Sequence, residues 1–388
     1  METFTGYDRS FYERADELVI RPLNPPAAPF TTPPPRVNPR APAFPYVDLV
    51  SHTPAISRRS LLTAALTGAG VAVVGAGPAD AHGRPHRRRV LVATNEPWGT
   101  YHVKPLLPEA RRRGWDVVQL VPDLSGVQPG DPVPVATLDD VPRADLLVVT
   151  GAGDWPADCA AALKRLPLAA SSLAYQLPVE APRAHEFRRR LRVLTASSPA
   201  EAKVFDDYLG TRRRVEVVGS PQTDDLPRHA PEAGTVLVLT SVTKSDGTGG
   251  SAPGTELLLA AAEKLAASGR HVLVGLHPRE DRTLWERYEI SEVPSVQASA
   301  RAEVAVGIPG TVFPLVAAVG VPLVGCVDPR LQIPDYLLSV CSDTITDAAE
   351  VVAAAETARP APRDVLYEAA GPVGGSARRL LKSWGRAC

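Results

Sequence analysis

Short runs of consecutive apolar residues alternate along this chain with longer stretches in which apolar positions recur every three or four residues. Arg89-Val90-Leu91-Val92-Ala93-Thr94 is such a run, and further ones lie at 115–121, 144–150, 192–195 and 215–218. Helical spacing fills the intervals at 104–113, 157–165 and 199–209, the first ending at Gly114. Runs without polar alternation predict strands buried on both faces, which in α/β proteins are parallel strands joined by right-handed crossover helices.

A second series begins at 235–240. It continues through a Gly/Ser-rich loop at 243–254, a helix at 255–268, a strand at 271–276, and strands at 303–307 and 321–325 with a helix between them. The predicted fold is therefore α/β, with two doubly wound, Rossmann-like parallel-sheet domains at 82–230 and 231–388, joined near 220–234. A last helix at 376–384 is placed to cross back to the first domain.

The first 81 residues follow neither pattern. Residues 1–56 carry eleven of the chain's 40 prolines and no sustained apolar periodicity. Such a segment buries too little surface to offset its ordering entropy, so it is expected to be a disordered leader; a translation start nearer Val47 or Val50 is the alternative. Residues 57–81 read Ser57-Arg58-Arg59-Ser60-Leu61-Leu62, then a weakly apolar run, then Ala79-Asp80-Ala81. Paired arginines, an apolar run short for a membrane span and terminal small residues predict a twin-arginine (Tat) signal cleaved after Ala81. The expected product is exported, not integral to the membrane, and engages the Tat translocase in transit; a cytoplasmic or membrane-anchored protein is the alternative.

Composition narrows the chemistry. Forty-two Lys and Arg against 43 Asp and Glu leave a net charge of -1, which gives no overall attraction to nucleic acid. Cys159, Cys326, Cys341 and Cys388 are too far apart in sequence for a zinc motif, and the eight histidines show no metal-ligand spacing, so no metal and no cofactor are expected. Val73-Val74-Gly75-Ala76-Gly77 lacks the following helix of a dinucleotide loop, because Pro78 and a basic stretch come next. Gly247-Thr248-Gly249-Gly250 lacks the Lys-Ser or Lys-Thr of a Walker loop. Gly219-Ser220-Pro221 lacks the second glycine of a nucleophile elbow and places proline where an oxyanion-hole N–H is needed.

Ligands of doubly wound sheets bind beyond the carboxyl ends of the strands. In the second series those positions hold Lys244 with Gly249 and Gly250, then His277-Pro278-Arg279, then Ile308-Pro309-Gly310-Thr311, then Asp328-Pro329-Arg330. Backbone N–H groups at helix starts with His, Lys and Arg nearby suit a diphosphate. Each taken alone also reads as an ordinary loop residue or helix cap.

Four places resemble the GT-B fold superfamily, within it the UDP-GlcNAc 2-epimerases and the CDP-glycerol glycerophosphotransferase and polysialyltransferase-like enzymes. They are Thr94-Asn95-Glu96-Pro97 with Lys104-Pro105-Leu106; Val218-Gly219-Ser220-Pro221-Gln222-Thr223-Asp224; His277-Pro278-Arg279; and Pro309-Gly310-Thr311 running to Gly320-Val321-Pro322. The tail Gly374-Gly375-Ser376-Ala377-Arg378-Arg379-Leu380 is similar to the closing helix of these enzymes. The resemblance implies a cleft between the domains, where a nucleotide-activated sugar or alcohol phosphate would bind. Its phosphates would meet Lys244, Gly249, Gly250, His277, Arg279, Gly310 and Thr311. A catalytic base would come from the first domain, with Glu96, His102 and Asp154 as candidates on its post-strand loops.

The chain departs from that family in two respects, the first being Ile308 and Pro309 where Asp or Ser would be expected. Relatives carry one or two glutamates for the ribose hydroxyls on the helix after the phosphate loop, and counting back from Gly320 puts Pro314 and Leu315 there. Neither side chain accepts a hydrogen bond. The expected function is a glycosyl- or glycerophosphotransferase-like activity in cell-envelope polymer metabolism. The alternatives are an exported, non-catalytic protein that binds a glycan or protein partner, and a cytosolic epimerase-like enzyme.

Overall fold

The computed structural model describes residues 87–127, 130–173, 183–241, 253–277, 280–331 and 333–388. The Pro-rich leader, the 57–81 segment, Lys244, Gly249, Gly250 and Arg279 lie outside the described residues.

Two parallel sheets account for the architecture. The first contains β1 (Arg89–Ala93), β2 (Asp116–Leu120), β3 (Val135–Ala136), β4 (Leu146–Val149), β5 (Leu168–Ser171), β6 (Leu191–Ala196) and β7 (Glu216–Val217), in the order β3-β2-β1-β4-β5-β6-β7. The second contains β8 (Thr235–Leu239), β9 (His271–Gly275), β10 (Glu289–Ile290), β11 (Val304–Gly307), β12 (Leu323–Cys326) and β13 (Asp343–Ile345), in the order β10-β9-β8-β11-β12-β13. In both sheets the chain runs outward to one edge and then restarts on the other side of its first strand. That reversal, between β1 and β4 and again between β8 and β11, opens a crevice at the carboxyl ends of the strands.

The apolar runs form strands because both faces are covered. Val90 and Val92 pack into one core layer of the first sheet while Leu91 and Ala93 pack into the opposite one, as the two-residue period of a strand requires. The second sheet repeats this with Leu237 and Leu239 on one side and Val236 and Val238 on the other. The main covering helices are α1 (Leu107–Arg112), α2 (Asp154–Ala162), α3 (Pro199–Leu209), α4 (Thr255–Ala267), α5 (Ser295–Ser299), α6 (Phe313–Val319), α7 (Asp335–Ser339), α8 (Val351–Thr357) and α9 (Arg363–Ala370).

The chain ends on the first sheet. Helix α10 (Ser376–Trp384) buries Ala377, Leu380, Leu381 and Trp384 in the layer that holds Val90 and Val92. Trp384 Nε1 donates to Ser171 Oγ at 2.8 Å, and Thr195 Oγ1 donates to the same oxygen at 2.7 Å. The start of α10 is fixed by the 218–224 segment, where the Asp224 carboxylate accepts from Ser376 N at 2.6 Å and Ala377 N at 2.8 Å. Gly219 sits at φ +81°, and a Cβ there would overlap the Pro372 carbonyl and the Ser376 hydroxyl. The Val218-to-Asp224 motif is thus a clasp that holds the returning helix.

Candidate functional site

The first sheet's contribution is the loop after β1. Thr94 donates its hydroxyl to the Glu96 carbonyl, and Gln119 of β2, fully buried, donates Nε2 to Thr94 Oγ1 at 3.2 Å and to the Pro97 carbonyl at 2.7 Å. Asn95 ties this loop to the one after β4: its N–H donates to Thr150 Oγ1 at 3.1 Å, and its Oδ1 accepts from Gly153 N at 3.3 Å. A Cβ at Gly151 would overlap the Asn95 amide, so a larger residue there would displace the side chain that joins the two loops.

This scaffold brings Glu96 and His102 together. The Glu96 carboxylate lies 3.8 Å from His102 Nε2 and accepts the Tyr101 hydroxyl, while the Tyr101 and His102 rings stand 4.1 Å apart, centroid to centroid. The His102 side chain is 12% exposed and the Glu96 side chain 40%. His102 Nδ1 is buried without a hydrogen-bond partner among the described residues. A desolvated nitrogen without an acceptor is poorly placed to carry a proton, which assigns the proton to Nε2, facing Glu96. Glu96 and Tyr101 are therefore the accessible groups of the cluster, and His102 backs them.

Asp154 does not join them. It opens α2 with its side chain 88% exposed and 3.5 Å from Arg183 Nη1, in a surface group that also holds Asp158 and Glu186. Its place after a strand is that of a base; its contacts are those of a solvated ion pair.

The second sheet contributes the residues after β8, β9, β11 and β12. His277 N donates to Thr240 Oγ1 at 2.8 Å, joining the β8 and β9 ends, and the His277 carbonyl accepts from Glu280 N at 2.9 Å. Glu280 in turn accepts from the buried Trp285 Nε1 at 2.7 Å, which anchors the loop into the core. Gly310 and Thr311 lead into α6, which is only seven residues long, and the Thr311 side chain is exposed with no hydrogen bond among the described residues. Pro314 is buried, and Leu315, 4% exposed, packs in the core cluster with Tyr336 and Ala369. The position expected for a ribose-binding acceptor thus faces the protein's interior.

Asp328 and Arg330 stood out in the sequence by their place after a strand, but their partner did not. Asp328, after β12, reaches across to α4 and accepts from Gly254 N, the helix's N-cap, at 2.9 Å. Arg330 donates Nη2 to the same carboxylate at 2.7 Å. Arg330, then its backbone N–H and that of Gly254, hold the Asp328 carboxyl down to about 2 despite its burial. An N–H at the start of the longest helix among the described residues, where an anion would bind, is therefore occupied by the chain's own carboxylate.

Among the described residues, no group of three His, Cys, Asp or Glu side chains is placed to hold a metal ion, and no helix is long and apolar enough to cross a membrane. All four cysteines are free, and burial pushes the thiols of Cys159, Cys326 and Cys341 up to about 12.

No protein-family model and no curated protein sequence matches the chain. Solved structures do. The UDP-GlcNAc 2-epimerase of Methanocaldococcus jannaschii superposes with a TM-score of 0.51 at 12% identity, covering 77% of this chain and 99% of that one. A variant of the wall teichoic acid polymerase TagF gives a TM-score of 0.51 at 10% identity over 76% of this chain and 87% of its own. The S. aureus MnaA–UDP complex gives 0.50 at 11% identity over 78% and 98%. The chain has the GT-B fold. At these identities the likeness establishes the fold alone.

Proposed function

We propose that the chain binds a nucleotide-activated sugar or alcohol phosphate at the carboxyl ends of its two sheets and acts as a glycosyl- or glycerophosphotransferase-like protein on cell-envelope polymers. Two domains, near 82–230 and 231–388, would face each other across the bound donor. The observation that carries the reading is the Glu96–His102 pair on the first post-strand loop of the first sheet. In the step envisaged, Glu96 takes the proton of an acceptor hydroxyl, the freed oxygen attacks the electrophilic carbon or phosphorus of the donor, and the bond to the nucleotide breaks with its electron pair leaving on the phosphate oxygen. His102, through Nε2–H, orients the carboxylate. His277 meets the departing phosphate, with Lys244, Gly249, Gly250, Arg279, Gly310 and Thr311 as further contacts. The S. aureus structure solved with UDP supports a nucleotide ligand for the fold.

The test is transfer from labelled donors by the full-length protein. Glu96→Gln should lower turnover by roughly 10²–10⁴-fold; wild-type turnover in that variant would remove the base assigned here.

A second reading has its own observation. The burial of Pro314 and Leu315 and the capture of Gly254 N–H by Asp328 both favour an exported protein that keeps the fold and binds a glycan or protein partner without catalysis. The Ser57-to-Ala81 segment supports export through the Tat translocase, away from the cytosol where activated donors are made. Cell fractionation with sequencing of the mature N-terminus separates the readings. A start at His82 outside the membrane favours the binding protein, and an uncleaved cytosolic chain favours the enzyme.

A further inference from the structure

Parallel strands all start at one end of their sheet, so the residues that lead into them gather there. In this chain many of those residues are arginines, and most are neutralised. Before the strands of the second sheet, Arg270 lies 2.9 Å from Glu303, and Arg301 lies 2.7 Å from Glu232 and 3.0 Å from Glu289. At the start of the first sheet Arg89 faces Asp116 at 3.1 Å, and Arg113 faces Glu109 at 2.6 Å.

The corner formed by β5, β6 and β7 breaks this rule. Lys164-Arg165 leads into β5, Arg188-Arg189 into β6 and Arg212-Arg213-Arg214 into β7. The three strands are neighbours, with Leu168 of β5 abreast of Leu191 of β6, so clusters far apart in the chain meet at one end of the sheet. Two contacts hold them there. Arg190 donates to the carbonyls of Ala160 and Leu163, at 2.5 and 3.1 Å, which ties the start of β6 to the segment before β5. Arg188 Nη1 lies against Gly210, 2.8 Å from where a Cβ would stand, and Arg212 follows two residues later. All seven side chains are exposed, and none makes a hydrogen bond or ion pair among the described residues.

The nearby carboxylates do not cancel them. Asp206 and Asp207 end α3, and Asp206 accepts the Thr211 hydroxyl at 2.5 Å. Asp154, Asp158 and Glu186 gather on Arg183, and Glu216 lies on Arg386. With Arg183 and Arg190 included, nine cations stand against five carboxylates, and the Glu216–Arg386 pair is neutral; the corner is positive by four charges among the described residues.

We propose that this corner docks the protein on an anionic lipid surface. Six of the seven exposed cations are arginines, whose planar fork pairs with phosphate oxygens through two N–H groups. They are carried on the ends of adjacent strands about 4.8 Å apart, so the charge is spread over a face, which suits a plane of headgroups. No large apolar side chain is exposed in the three lead-in segments, so the corner has neither a stacking surface for nucleic-acid bases nor a wedge for insertion. Attachment is electrostatic: each engaged cation raises partitioning roughly fivefold, and salt weakens it. The length of β6, roughly 20 Å, separates the corner from the carboxyl ends of the strands, so docking leaves the crevice and the Glu96 loop facing away from the bilayer. The inference does not rest on the donor chemistry proposed above.

Flotation of the full-length protein with phosphatidylcholine vesicles, with and without phosphatidylglycerol, tests it. Flotation that requires phosphatidylglycerol and falls several-fold at high ionic strength is expected. Two variants, Arg189→Glu with Arg213→Glu and Lys164→Glu with Arg165→Glu, should each weaken it about tenfold or more. Both change exposed positions on separate segments, so circular dichroism can verify each fold, and the first 86 residues are common to all the proteins compared. A matched reversal on the second sheet's side, Lys264→Glu with Arg282→Glu, should leave flotation unchanged. Equal flotation with and without phosphatidylglycerol, unchanged flotation of both corner variants, or an equal loss in the matched reversal overturns the proposal. So does retention of duplex DNA or poly(glycerol phosphate) without flotation on the anionic vesicles.

Discussion

Asp328 Oδ2 accepts the backbone N–H of Gly254 at 2.9 Å, so a carboxylate from the loop after β12 caps the helix that follows β8. The folded-state pKa, about 2, lies below the ordinary 3.8. A depressed carboxyl contributes stability that is complete above the unfolded value and lost as pH falls through the folded one. Arg330 is largely exposed, so screening reduces the effect to about 1–2 kcal/mol. Thermal melts from pH 6 to pH 2 should therefore show wild-type stability declining between about pH 4 and pH 2, and a shallower decline in Asp328→Asn. Parallel curves for the two proteins would contradict the cap.

Leu315 occupies the place where a ribose-binding glutamate would be expected, yet its side chain belongs to the core. Leu315→Glu should accordingly destabilise the fold by about 3 kcal/mol or more, because a carboxyl would be buried without a partner. Urea denaturation reads this directly. Unchanged stability together with tighter donor binding would show instead that the position opens to the ligand.

The closing helix is held by a clasp and an anchor. Asp224→Ala removes a charge-assisted N-cap and should cost about 1–2 kcal/mol, while Trp384→Ala empties a fully buried site and should cost about 3–5 kcal/mol. Chemical denaturation of both variants checks the order. A larger loss from Asp224→Ala than from Trp384→Ala would contradict the packing described.

Much of the fold was legible in the sequence because parallel strands are apolar on both faces and stand out as unbroken runs. The missed strands explain themselves. β5 is Leu168-Ala169-Ala170-Ser171, without a β-branched or aromatic residue, and is a strand only because β4 and β6 enclose it. β3 and β10 are two residues long, and β13 is an edge strand with two of three residues exposed. The site was half legible. Position after a strand singled out Glu96 and His102, which meet, and equally Asp154, which pairs with Arg183, distant in sequence. Chain order carries no sign of that partner, nor of the link from Asp328 to Gly254, because both depend on which loops the topology brings side by side.

The measurement that bears most directly on the proposed function is calorimetric titration of the full-length protein with UDP-, CDP- and CMP-linked donors, repeated with His277→Ala. Saturable binding of at least one donor below millimolar concentration, weakened about tenfold or more in the variant, is the expected result. Absence of binding to all three at millimolar concentration would contradict a donor site on this fold.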